Sequence, residues 1–237
     1  MRRSLVALGA LVVSVTVTLA VVAPASTSPR TLSFSGYTWE VKSSSGKVGP
    51  GPNYFSAATD NVWVDAGGRL HLRMTRKNGH WQCAEVATVQ SLGYGTYTFT
   101  LDSRVDALDK NVVLGLFTWS DDPAYANREL DIEFARWGNA GDPTNAGWTV
   151  QPYDQPGHGQ RFTESSAQTS SQAFTWTPSS VAFTSSSASP GSWTYSAAGV
   201  PQAGGEHARM NLWLFQGRAP SGHSSVEVVV KSFRFTP

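Results

Sequence analysis

Between residues 128 and 134 the chain reads Arg-Glu-Leu-Asp-Ile-Glu-Phe. The acids Glu129, Asp131 and Glu133 take alternate positions, with Leu130, Ile132 and Phe134 between and after them. Successive side chains of a strand point to opposite faces, so a strand here collects three carboxylates on one face and three apolar groups on the other. A helix would spread the same acids around its cylinder, at about 100° per residue. Adjacent acids repel, and fold stability gives no reason to gather them, so the segment is a candidate site. Two carboxylates flanking a sugar linkage are what glycoside hydrolysis requires. One protonates the leaving oxygen, and the other attacks the anomeric carbon or stabilises its positive charge, the pair standing about 5–5.5 Å apart in a retaining enzyme. Residues i and i+4 of a flat strand have Cα atoms about 13 Å apart, so Glu129 and Glu133 must lean together on a concave sheet. Asp131 between them would share a proton or hydrogen bond with Glu129 and push the carboxyl pKa values apart.

The rest of the chain has the patterning to build such a sheet. Asn61–Val64, an Asp-Ala-Gly-Gly turn at 65–68 and the alternating Arg69–Met74 predict a hairpin. Gly93–Leu101 alternates again, as does Val226–Phe235, with Glu227 and Lys231 facing away from Val226, Val228 and Val230. No long stretch has helical period. Many short strands separated by Gly, Pro and Asn turns predict an all-β protein, a β-sandwich or jelly roll. The Ser/Thr-rich stretch 163–196 is read as strands with polar outer faces, because Phe174, Trp176, Val181, Phe183, Trp193 and Tyr195 recur through it, as they would not in a linker.

The chain has 237 residues, 18 basic against 17 acidic side chains, nine Trp and seven Tyr. That charge balance excludes the electrostatic footprint of a nucleic-acid binder. Few charges and many aromatics suit a surface that grips a neutral ligand. Residues 1–25 read as a signal peptide: Arg2 and Arg3, an uncharged run from Leu5 to Val22, then Ala23-Pro24-Ala25 as a small-residue cleavage site. An uncleaved membrane anchor is the rival reading of that run. A single domain over 26–237 is expected, secreted and monomeric, with no membrane partner after cleavage. Cys83 is the one cysteine. It can form no intrachain disulfide and lacks an activating base beside it, so it reads as buried and structural. The five His show no metal-ligand spacing, and serine-hydrolase and phosphate-loop signatures are missing.

Glu129-Leu130-Asp131-Ile132-Glu133-Phe134 resembles the active-site strand of glycoside hydrolase family 16, which includes bacterial lichenases and laminarinases. Cys83-Ala84-Glu85-Val86 followed by Gly93–Tyr97 resembles the two strands that precede the active site in lichenases. Leu116-Phe117-Thr118-Trp119, Val150-Gln151 and Met210-Asn211-Leu212-Trp213 resemble later cleft strands, and Phe174–Pro178 another recurrent segment. The likeness follows family order over most of residues 36–237. It implies a concanavalin A-like jelly roll of two antiparallel sheets with a concave substrate cleft, and retaining hydrolysis of β-glucan polysaccharide. On that resemblance Glu129 is the nucleophile, Glu133 the acid/base and Asp131 the assisting carboxylate, with no metal or cofactor in the reaction. A structural calcium, which some relatives bind, leaves no pattern in a sequence. The uninserted spacing between Asp131 and Glu133 is typical of lichenase-like members and points toward β-1,3-1,4-glucan. Two departures stand out. Ala87 replaces an Arg that lichenases often carry two residues after the equivalent of Glu85, and Cys83 lacks the disulfide partner they often have.

Alternation also nominates a lining. Phe117 and Trp119 stand opposite Leu114 and Leu116; Arg209, Asn211 and Trp213 stand opposite Met210, Leu212 and Leu214; Gln151 and Tyr153 stand opposite Val150. Indole rings pack on the apolar faces of pyranoses and carry an N–H donor. Substrate-binding candidates are therefore Phe117, Trp119, Gln151, Tyr153, Asn211 and Trp213. To these are added Glu85 by resemblance, Asn53 at a loop rim and Trp137 shortly after Glu133. Trp39, Trp63 and Trp176 read as core, whereas for Trp148 core and cleft are both open. Alternatives to an endo-β-glucanase are a noncatalytic carbohydrate-binding module, a transglycosylase and an anchored cell-wall protein. The first gains little from three crowded acids.

Overall fold

The computed structural model describes residues 28–125 and 127–237; the proposed export segment 1–25 lies outside them. One sheet runs from edge to edge as β1 (Thr31–Phe34), β2 (Tyr37–Val41), β6 (His80–Ser91), β16 (His207–Leu214), β8 (Val112–Trp119), β9 (Leu130–Phe134), β10 (Ala146–Val150) and β11 (Gly159–Glu164). The second runs as β4 (Val62–Val64), β5 (Leu70–Lys77), β17 (Val226–Thr236), β7 (Gly95–Asp102), β12 (Thr169–Thr177), β13 (Ser180–Ser185) and β15 (Ser192–Tyr195). All these pairings are antiparallel. The first residues of β6 pair with β5 and with β3 (Tyr54–Phe55) before the strand crosses into the first sheet. On the other side β14 (Ala188–Ser189) pairs with β11. The result is a jelly-roll sandwich, as the strand pattern predicts, and the helices among the described residues are 3₁₀ turns.

The core lies between the sheets and is built by period-two alternation. Tyr97, Phe99 and Leu101 of β7 face Leu114, Leu116, Ile132 and Phe134 of β8 and β9 across it, all buried. Trp39, Trp176 and Cys83 are buried, and burial pushes the Cys83 thiol up to about 12, so it stays protonated and unreactive. Trp148 is core as well, stacked on Phe162 with ring centroids 4.0 Å apart. Trp63 differs from its reading as core: it is only partly buried and stacks on His71, 4.4 Å away. The hairpin β4–β5 and the strands of the Ser/Thr-rich stretch form as read. In β17 a register shift between Val230 and Ser232 moves the buried phase from Val228 and Val230 to Phe233. An extra residue on one strand reverses which face the later side chains take.

Candidate active site

The first sheet turns its other face to a cleft, and strand register decides what lines it. One row crosses the sheet as Glu85 on β6, Asn211 on β16, Gly115 on β8, Glu133 on β9, Gly147 on β10 and Arg161 on β11. The next row runs Ala87, Arg209, Phe117, Asp131, Thr149 and Gly159. Glu133 thus has a glycine on each flanking strand. A Cβ at Gly115 would stand 2.5 Å from Asn211 Oδ1, and one at Gly147 would stand 3.3 Å from the Arg161 side chain. These glycines make room for the Asn211 amide and the Arg161 side chain on either side of Glu133. Glu129 precedes the first residue of β9, yet its carbonyl accepts from the Gln151 N–H at 3.1 Å, so the ladder to β10 continues and the three acids share one face.

Glu129, Asp131 and Glu133 line one cavity of about 330 Å³ together with Glu85, Phe117, Trp119, Asn211 and Trp213. Burial raises the pKa of all three acids, and the Asp131 charge raises Glu129 and Glu133 further. Glu129 hydrogen-bonds Asp131, which places a proton between two carboxyls. Gln151 Nε2 donates to Asp131 Oδ2 at 2.9 Å and favours charge on Asp131. The positive charges of Arg209 and Arg161 act in the same sense on Glu129 and Glu133 respectively. The face therefore retains protons at neutral pH that isolated carboxylates would have lost. A proton on Glu133 can be given to a leaving group, while the proton between Glu129 and Asp131 can move to free either oxygen set as a nucleophile.

The other nominated residues fall into three situations. Trp119, about a third exposed, forms part of the wall; its Nε1 donates to Asp121 Oδ1 at 3.0 Å. Trp213 packs against Trp137 (centroids 6.1 Å apart), which in turn meets Phe215 edge-on at 5.5 Å. Trp137 belongs with Tyr153 to an adjoining hollow beyond Glu133, and its backbone is held in the left-handed region at φ 50°. Tyr153 is 78% exposed there, its N–H held by Gln151 Oε1 at 2.8 Å. Gln151 thus acts as a buttress to Asp131. Asn53 does not reach the rim: buried, it donates to the carbonyls of Pro50 and Leu214 at 2.8 and 2.9 Å. Its loop contributes Gly49 and Pro50 to the lining instead.

Lys42, Asp121 and Arg209 also line the cavity. Glu85 accepts from Lys42 Nζ and Arg209 Nη1, each at 3.0 Å, and Arg209 Nη2 donates to Asp121. Arg209 carries one signal in the sequence, its shared face with Asn211 and Trp213. Lys42 and Asp121 carry none, since nothing local tells which strand or loop they will meet.

The sequence matches no protein-family model and no curated protein. The fold does match solved structures. A Bacillus licheniformis β-glucanase superposes with a TM-score of 0.66 at 22% identity, covering 84% of this chain and 92% of its own. A prokaryotic β-1,3-1,4-glucanase (lichenase) from a mouse hindgut metagenome gives 0.64 at 21%, covering 84% and 92%. SCLam, a non-specific endo-β-1,3(4)-glucanase of glycoside hydrolase family 16, gives 0.65 at 16%, covering 83% of each chain. The chain shares their fold over most of its length.

Proposed function

We propose that this protein is a secreted, retaining endo-glycosidase of the glycoside hydrolase family 16 type that hydrolyses β-1,3-1,4- or β-1,3-linked glucan. The observation that carries the reading is the placement of Glu129, Asp131 and Glu133 on one face of β9 inside an aromatic-walled cleft, with burial holding protons on them. The solved structures of the same fold described above are β-glucanases, which supports the same substrate class. In the reaction Glu133 protonates the glycosidic oxygen as the bond to the anomeric carbon breaks. Glu129 attacks that carbon and forms a glycosyl-enzyme, its proton passing to Asp131. Water, deprotonated by Glu133, then cleaves the ester and regenerates both acids. Trp119 and Trp213 offer indole faces for pyranose rings on either side of the acids.

Reducing-sugar release from barley mixed-linkage glucan, laminarin, xyloglucan, agarose and carrageenan tests this. Release from one of the two β-glucans should fall at least about a hundredfold in Glu129→Gln and in Glu133→Gln, with the fold intact by circular dichroism. Normal turnover by either variant would overturn the assignment of roles. Silence of the folded wild type on the whole panel would favour a transglycosylase or a binding module.

A further inference from the structure

Two polar atoms in the cleft are buried with nothing to bond. Arg209 is 8% exposed and Asn211 2% exposed, yet Arg209 Nε and Asn211 Oδ1 have no hydrogen-bond partner among the described residues. Leaving a buried donor or acceptor unmade is costly, and such atoms in a native cleft call for a ligand that completes them. The guanidinium is otherwise fixed: Nη1 is held by Glu85 at 3.0 Å and Nη2 by Asp121. A planar fork clamped through both terminal nitrogens holds its Nε–H in one direction with little entropy left to lose. Asn211 Nδ2 turns toward Glu85 Oε2 at 3.5 Å, and Oδ1 takes the space that a Cβ on Gly115 would fill.

Resting on the hydrolase reading above, we propose that Arg209 is a specificity-determining, substrate-binding residue. With Asn211 it holds one unsubstituted pyranose beside the acids: Nε–H donates to one hydroxyl of the ring, and Oδ1 accepts from another. The two residues are i and i+2 on one face of β16, about 7 Å apart along the strand, comparable to a pyranose ring with its hydroxyls. A neutral diol satisfies both atoms at once, whereas a ring carrying a bulky or anionic substituent at either hydroxyl leaves one unmade. The facing position on β6 is Ala87, in register with Arg209. The small side chain at 87 leaves the space on the cleft floor to the guanidinium, which this chain supplies from the neighbouring strand.

The test measures binding in a Glu129→Gln background, by calorimetry with oligosaccharides of mixed-linkage glucan and of laminarin, alongside KM and kcat with Glu129 intact. Arg209→Lys keeps a cation for the Glu85 carboxylate but lacks Nε–H. It should weaken binding about tenfold or more and raise KM by a similar factor while kcat changes less. Arg209→Met should lose at least as much, and adding Ala87→Arg to it should recover part of the loss. Affinity and KM of Arg209→Lys within about twofold of the parent would overturn the proposal while the hydrolase reading stood. Glycan binding that depends on Arg209 in a protein that hydrolyses nothing would overturn the hydrolase reading and support this one. A folded parent that binds neither oligosaccharide would overturn both.

Discussion

Replacing Glu133 with Gln probes the electrostatics of the site through stability, independently of any substrate. In the unfolded chain a glutamate loses its proton near pH 4.3. In the folded protein burial, then the Asp131 charge, hold the Glu133 proton to higher pH. Between those two values the folded state binds one proton more than the unfolded state, so stability falls as pH rises. The contribution is greatest below the unfolded value and is lost progressively as pH climbs toward the folded one. One retained proton corresponds to about 1.4 kcal/mol per pH unit. Glutamine has no proton to retain, so its own packing cost enters as an offset that does not change with pH. Going from pH 5 to pH 6, the wild type should therefore lose about 1.4 kcal/mol relative to Glu133→Gln. Urea unfolding followed by the fluorescence of the nine Trp measures it. A difference constant to within about 0.4 kcal/mol over that range would mean that Glu133 ionises as readily folded as unfolded. The reason for assigning it the acid role would then be gone.

Trp137 sits at φ 50° and is pinned by Trp213 and Phe215. Trp137→Gly should be more stable than Trp137→Ala by about 1 kcal/mol, the reverse of the usual order, because only glycine adopts that backbone without penalty; equal melting temperatures would show the conformation to be unstrained. Both variants should bind polysaccharide more weakly. For the proposed export segment, mass spectrometry of protein recovered from the culture medium should find an N-terminus near Ser26. Recovery only from the membrane fraction, with residues 1–25 intact, would instead mean an anchored protein.

The acid face was legible because it is a local property. Period-two alternation over seven residues determines that Glu129, Asp131 and Glu133 project to one side and Leu130, Ile132 and Phe134 to the other, whatever the strand pairs with. The same local logic separates Phe117 from Leu116 and Asn211 from Leu212. It determines the all-β class too, since the alternating segments are short and divided by turn residues. Local logic fails where the count of residues is disturbed or a loop intervenes. The bulge in β17 puts Phe233 into the core where uninterrupted alternation would have put Ser232. Asn53, in a loop, spends its amide N–H on the backbone carbonyl of Leu214 rather than on the rim.

Trp148 and Trp213 show what only the assembled sheet decides. Each lies in an alternating strand with aromatic or apolar neighbours, and the sequence alone left Trp148 open. The pairing of Gly147 with Glu133 sends Trp148 to the opposite face, onto Phe162, while Trp213 shares the cleft face with Asn211. The cluster of Glu85, Asp121 and Arg209 lies further from any sequence signal, because its members come from β6, the β8–β9 connection and β16. Glu85 and Asp121 lie 124 and 88 positions from Arg209 and share no period with it; they meet only because antiparallel register sets β6, β16 and β8 side by side. The sequence by itself determined which side chains share a face within each strand. Tertiary structure decided which faces meet, since hydrogen-bond register between strands is fixed by the packing of the whole sandwich and not by any one segment.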